Sequence, residues 1–211
     1  MADLLLLSVL LVDLFMIGTT RIGACIRAAS VQGALLAALP IVFHSGPPDL
    51  HLVVLSGSAL ILKAIAIPEL LMRALETASV RREVEPTVSL HVSLVVGAVL
   101  LGISFWLGRV LPLPVAPPSS LAVPAAFATL LFGFLMLVNR TKAITQVIGY
   151  LMLENGVYMF GLGLSATLPL VIELGILLDV WVGVFVMGIA IHHIDRTFDH
   201  IDTDRLARLR G

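Results

Sequence analysis

A single cysteine in 211 residues, Cys25, rules out an intrachain disulfide and cannot alone hold a zinc ion or an iron–sulfur cluster. Charge is also scarce. Asp, Glu, Lys and Arg together form 13% of the chain, about half the share usual in soluble domains. They sum to a net charge of −1, so no basic field exists to hold a nucleic acid. The N-terminus lacks the marks of a signal peptide: the apolar run opens on Asp3 instead of basic residues and carries Asp13 inside it. The stretch Ile22-Gly23-Ala24-Cys25 has the look of a lipoprotein cleavage site, but Arg21 separates it from the apolar run. No internal repeat stands out.

Apolar length takes the place of what is missing. Hydrophobic residues make up 59% of the chain and the mean hydropathy is +1.06. A bilayer core needs about 20 apolar residues per helix, and seven stretches qualify: residues 4–20, 22–43, 50–73, 88–108, 121–139, 143–165 and 168–191. Gly46-Pro47-Pro48, Pro86 and the proline-rich run 112–118 punctuate the joins. The expected fold is all-α, a polytopic membrane protein with one membrane domain, 1–191, and a charged tail, 192–211. Ile194, Phe198, Ile201 and Leu209 recur in that tail at near-helical spacing, as in a surface helix lying on a partner or on the membrane.

Basic residues set the expected orientation. With the N-terminus outside and seven spans, 11 of the 13 Lys and Arg fall on one side, at Arg21, Arg27, Arg73, Arg81, Arg82, Arg140, Lys142 and the tail. That side is the cytoplasm by the positive-inside rule, so the expected C-terminus is cytoplasmic.

Against this background a few ionisable residues are conspicuous. Asp13, Lys63, Glu154 and Asp179 each lie ten to thirteen residues into a different span, near the bilayer midplane. Glu69 follows Pro68 nearer the cytoplasm, and Glu173 lies nearer the outside. Six unpaired charges at such depths would cost roughly 15–20 kcal/mol. Some must therefore be paired, some protonated, and Lys63 with a carboxylate is the obvious pair. An ionisable belt of this kind more often marks a proton or ion path than a packing device. The bland alternatives are a helix–helix hydrogen bond for Asp13, a snorkelling side chain for Glu69 and an interfacial position for His91.

Within Gly149-Tyr-Leu-Met-Leu-Glu154-Asn155-Gly156-Val-Tyr158-Met-Phe-Gly161-Leu-Gly163, polar residues recur at every fourth position: Lys142, Gln146, Tyr150, Glu154 and Tyr158. Gly149, Gly156 and Gly163, seven apart, form a smooth stripe for close packing, roughly opposite Glu154. One helix thus offers a polar face and a packing face. His192, Asp195 and Asp199 have a spacing that could meet a metal. A solvated face opposite Ile194, Phe198 and Ile201 accounts for the same residues, and no metal or cofactor site is assigned.

The stretches 149–156, 171–183 (Val-Ile-Glu173-Leu-Gly-Ile-Leu-Leu-Asp179-Val-Trp-Val-Gly) and 193–199 (His-Ile-Asp-Arg-Thr-Phe-Asp) resemble the E component of hydrogenase-4 and formate hydrogenlyase membrane arms. Residues 121–191 are also similar to the small K subunit of respiratory complex I and to its relative in multisubunit cation/proton antiporters. The resemblance implies a non-catalytic subunit beside antiporter-like large membrane subunits and a cytoplasmic nickel–iron hydrogenase module, taking part in proton movement. The complex I motif, commonly Gly-x-Glu-x-Met-Leu-Asn, has its glutamate where this chain has Leu151. Glu154 lies one turn further on nearly the same face, shifted about 4.5 Å along the axis. Either Glu173 or Asp179 can hold the second acidic role. The residues expected to relay protons are Glu154, Tyr150, Tyr158, Glu173, Asp179, Lys63, Asp13 and Glu69. A small subunit of a cation/proton antiporter and a purely structural anchor are the competing readings.

Overall fold

In a computed structural model of the chain, the described residues are 1–44, 46–47, 49–77, 88–113, 115–164 and 181. The expected seventh span, the tail, Glu173 and Asp179 lie outside them. Apart from isolated bridge residues the regular structure of the described part is helical: α1 Ala2–Gly18, α2 Ile22–Phe43, α3 Leu50–Ala59, α4 Ile67–Thr77, α5 Leu90–Val110, α6 Ala122–Asn139 and α7 Ala143–Gly163. Helices α3 and α4 are one continuous rod joined by a π-helical segment, Leu60–Ala66.

Among the described residues, four helices are long and apolar enough to cross a bilayer: Ile22–Phe43, Leu52–Glu76, Leu90–Val110 and Ala122–Asn139. The polarity of the bundle is reversed from that of a water-soluble protein. Leu11 and Val138 are 67% and 80% exposed, while Asp13 and Glu154 are 0% and 1% exposed. Outward apolar side chains continue along α1 (Leu4, Phe15), α3 (Val53, Val54) and α5 (Val95, Val99, Trp106). Burying carboxylates while exposing such faces is the arrangement of a membrane protein, whose surroundings are apolar.

Helix α2 is the hub, touching α1, α3, the π segment, α4 and α7; α1 also packs on α5 and α6. The tightest pair is α6 with α7. A Cβ on Gly156 would lie 2.5 Å from the backbone nitrogen of Leu130 and 2.8 Å from the carbonyl oxygen of Ala126. One on Gly149 would lie 2.9 Å from the nitrogen of Leu137, and Gly133 on α6 meets the Leu153 backbone from the other side. These glycines let two backbones touch, which is how helices associate where no hydrophobic effect pulls them together. The third glycine of the stripe behaves differently: a Cβ on Gly163 would meet only the Ala122 methyl, at 4.0 Å. Gly156→Ala should therefore destabilise the bundle by about 1–3 kcal/mol through overpacking, while Gly163→Ala should be close to neutral. Thermal unfolding in mild detergent reads the difference; equal melting of the two variants would count against backbone contact at Gly156.

The π segment has local causes. Pro68, in the first turn of α4, has no N–H to return to the Ala64 carbonyl. That carbonyl is taken instead by the Ser30 hydroxyl of α2, which donates to it. The Ile67 N–H reaches five residues back to Leu62, the hydrogen-bond span of a π turn. Gly33, one turn beyond Ser30, makes room for the widened backbone: a Cβ there would lie 2.6 Å from the carbonyl carbon and oxygen of Lys63. Lys63 sits at the centre of this segment and is held against α2.

Candidate functional site

The wide turn points Lys63 inward, where its Nζ donates to Glu154 Oε1 of α7 at 2.6 Å. Both side chains are almost wholly buried, at 4% and 1% exposure. The same ammonium lies 5.4 Å from the ring centroid of Tyr158, one turn along α7, within range of the ring's attraction for a cation. The pair expected between Lys63 and a carboxylate is present, and its acid is Glu154.

A second polar group adjoins it through the next residue of α7. Asn155 Nδ2 donates to Gln32 Oε1 at 3.0 Å. Gln32 Nε2 donates to Asp13 Oδ1 at 2.5 Å, and the Thr129 hydroxyl donates to Asp13 Oδ2 at 2.6 Å. Asp13, Gln32, Thr129 and Asn155 are all buried and come from α1, α2, α6 and α7. Asp13 thus accepts at both oxygens, and the amides orient one another. A buried polar network with every member satisfied fixes a single packing arrangement.

The remaining expected residues are placed unevenly. Along α7 the polar row runs inward: Gln146 is exposed, Tyr150 half-buried, and Glu154 and Tyr158 buried. Lys142 is the N-cap of α7, and the Gln146 amide turns back to donate to the Arg140 carbonyl at 3.0 Å. Glu69 is not drawn into the site. It is 57% exposed and pairs with Arg73, four residues on, because α4 presents that face outward. His91 is exposed in the first turn of α5. Glu173, Asp179 and the His192–Asp195–Asp199 set lie outside the described residues. Among the described residues no three His, Cys, Asp or Glu gather as for a metal ion.

Two features had no strong signal in the sequence. Gln32 and Thr129 are uncharged polar residues that read as ordinary helix surface; only their partners reveal them. Arg140, expected as a loop cation, is 2% exposed. Its Nη2 donates to the carbonyls of Ile17 and Thr19, at 3.0 and 3.4 Å, where α1 ends. Desolvation draws its pKa down from the ordinary arginine value, with the neighbouring Cys25 acting the other way. The helix end supplies carbonyl oxygens and the negative pole of the α1 dipole. Arg140→Leu should free those carbonyls and lower the melting temperature. An unchanged melting curve would show that the contact contributes nothing measurable.

Chemically, the site offers a buried carboxylate that can exchange a proton with an ammonium, a second carboxylate one network away, and hydroxyls and amides between them. That suits proton movement or charge compensation; nothing in it resembles a nucleophile–base pair.

The chain is 34% identical over 206 residues to the Mycobacterium tuberculosis protein named Uncharacterized protein Rv0085, covering 96% of this chain and 93% of that one. It is 25% identical over 161 residues to Hydrogenase-4 component E of Escherichia coli, covering 76% of this chain and 74% of that one. The component E of Shigella flexneri matches to the same extent. No family model matches the chain, and no solved structure matches it.

Proposed function

The chain belongs to the family of the mycobacterial protein Rv0085, and from that kinship and the distant likeness to hydrogenase-4 component E we propose that it is a non-catalytic membrane subunit of a membrane-bound hydrogenase assembly. In this reading it stands beside antiporter-like large subunits and a cytoplasmic nickel–iron module of the formate hydrogenlyase type. Its buried acids contribute to proton translocation coupled to electron transfer. The observation that carries the reading is the 2.6 Å Lys63–Glu154 pair at the end of a polar row that runs inward from the surface. Structural anchoring alone does not require an ionised pair at that depth, where each charge costs about 2.5–3.5 kcal/mol to insert.

We place the cytoplasmic approach to Glu154 along Lys142, Gln146 and Tyr150, with Tyr158 continuing beyond it and Glu173 or Asp179 as the next acid. The likeness of 121–191 to complex I subunit K belongs to the same proposal. So does the seven-span threading in an inner membrane, with the N-terminus outside and the tail cytoplasmic. A reporter fused after Gly211 should read as cytoplasmic and one at Gly46 or Pro117 as external; one side for both would overturn the threading.

Composition of the native complex tests the function. The tagged chain, purified in mild detergent, should bring with it nickel–iron and iron–sulfur subunits together with large membrane subunits. Antiporter-like partners alone would replace this reading with a cation/proton antiporter subunit.

A further inference from the structure

The hydrogen bonds around Asp13 are not equivalent. Gln32 is locked: its Oε1 accepts from Asn155, so its Nε2 must face Asp13 Oδ1. Flipping the amide would set Gln32 Oε1 against the carboxylate and two NH2 groups against each other. While Asn155 keeps its amide in this orientation, Oδ1 only accepts. On the other side, the Thr129 hydroxyl has two acceptors within reach, Asp13 Oδ2 at 2.6 Å and Met159 Sδ of α7 at 3.9 Å. A hydroxyl has one proton to give and lone pairs to receive another.

We propose that Thr129 is a positioning residue that lets Asp13 hold or release a proton at Oδ2 without leaving a buried polar atom unpaired. With Asp13 ionised, Thr129 donates to Oδ2. When a proton arrives at Oδ2, that O–H donates to Thr129 Oγ1, and the threonine hydroxyl turns its own proton to Met159 Sδ. No covalent bond other than the O–H of the acid forms or breaks, and the carboxyl goes from charge −1 to neutral. A locked amide and a rotating hydroxyl together confine the change to one oxygen. Among the described residues, the other ionisable groups on the elements around Asp13 are the Cys25 thiol and exposed Arg27 on α2, Asp3 on α1, His91 and Arg109 on α5, Arg140 after α6, Lys142, Tyr150, Glu154 and Tyr158 on α7 and Lys63 on the π segment. None of them donates to or accepts from either Asp13 oxygen, which leaves Gln32 and Thr129 to set its hydrogen bonding.

This inference rests on Asp13 changing protonation, part of the function proposed above. Its test does not need turnover. The full chain, purified with the subunits that accompany it and returned to lipid, is titrated with acid while infrared difference spectra are recorded. The Asp13 carboxyl and carboxylate bands are identified as those missing in Asp13→Asn. Thr129→Val should shift both bands and Thr129→Ser neither. Met159→Leu should shift the carboxyl band alone, since the sulfur accepts only when the acid is protonated. Thr129→Val leaving both bands in place would overturn the assignment, and so would Met159→Leu moving both. If Asp13→Asn removes no titrating band, Asp13 does not titrate and the inference fails, while the Lys63–Glu154 reading still stands on proton-uptake measurements.

Discussion

Lys63→Met is expected to destabilise the membrane bundle by about 3–5 kcal/mol, the usual consequence of removing one partner of a buried ion pair. What remains is Glu154, 1% exposed and without its ammonium. Glu154→Gln should do harm from the other side by taking away the carboxylate to which the Lys63 ammonium donates at 2.6 Å. The two losses should not add. Combining Lys63→Met with Glu154→Gln removes both charges, and the double variant should recover most of the stability that either single change costs. Thermal unfolding of all four forms in one detergent closes the cycle. A coupling near zero would mean that Lys63 and Glu154 do not depend on each other, whatever their separation.

That double variant also allows the larger functional prediction to be made cleanly, because a lost activity cannot then be blamed on lost assembly. With Lys63 and Glu154 both neutral the complex should assemble, yet proton uptake coupled to turnover should fall on the order of 100-fold, the scale on which a positioned proton-transfer group contributes. Neither methionine nor glutamine has an exchangeable proton of suitable acidity. Restoring the acid alone, with Lys63→Met beside native Glu154, should recover part of the uptake in whatever complex assembles. Measurements belong in membranes matched for assembled complex. Wild-type uptake in the double variant would return the pair to a purely structural role.

The sequence carried the common level of these charges along the helices well. Apolar runs of known length place Asp13, Lys63 and Glu154 at one level, because a helix rises by a fixed amount per residue. Six of the seven expected stretches coincide with described helices to within a few residues at most ends, and the third extends four residues further than expected, to Thr77. Azimuth was harder to read. Glu69 sits beyond the π segment, which alters the winding ahead of it, and its helix turns that residue outward to Arg73. Gln32 and Thr129 carry no charge to mark them, so their role appears only when four helices meet. Arg140 shows the limit of reading a basic residue between two apolar runs as a loop cation: it lies in the join of α6 and α7 and is still sealed inside the bundle.

The glycine contacts divide the bundle mechanically. Helices α6 and α7 touch backbone to backbone at Gly133, Gly149 and Gly156, and α2 touches the π segment in the same way at Gly33. Backbones in contact cannot slide as side chains do, so each pair behaves as a stiff beam. Glu154 rides on one beam and Lys63 on the other. Their 2.6 Å contact therefore bridges the seam between two stiff parts. A sideways slip of one beam by a single ångström would stretch that ion pair together with the Asn155–Gln32 hydrogen bond, which crosses the same seam.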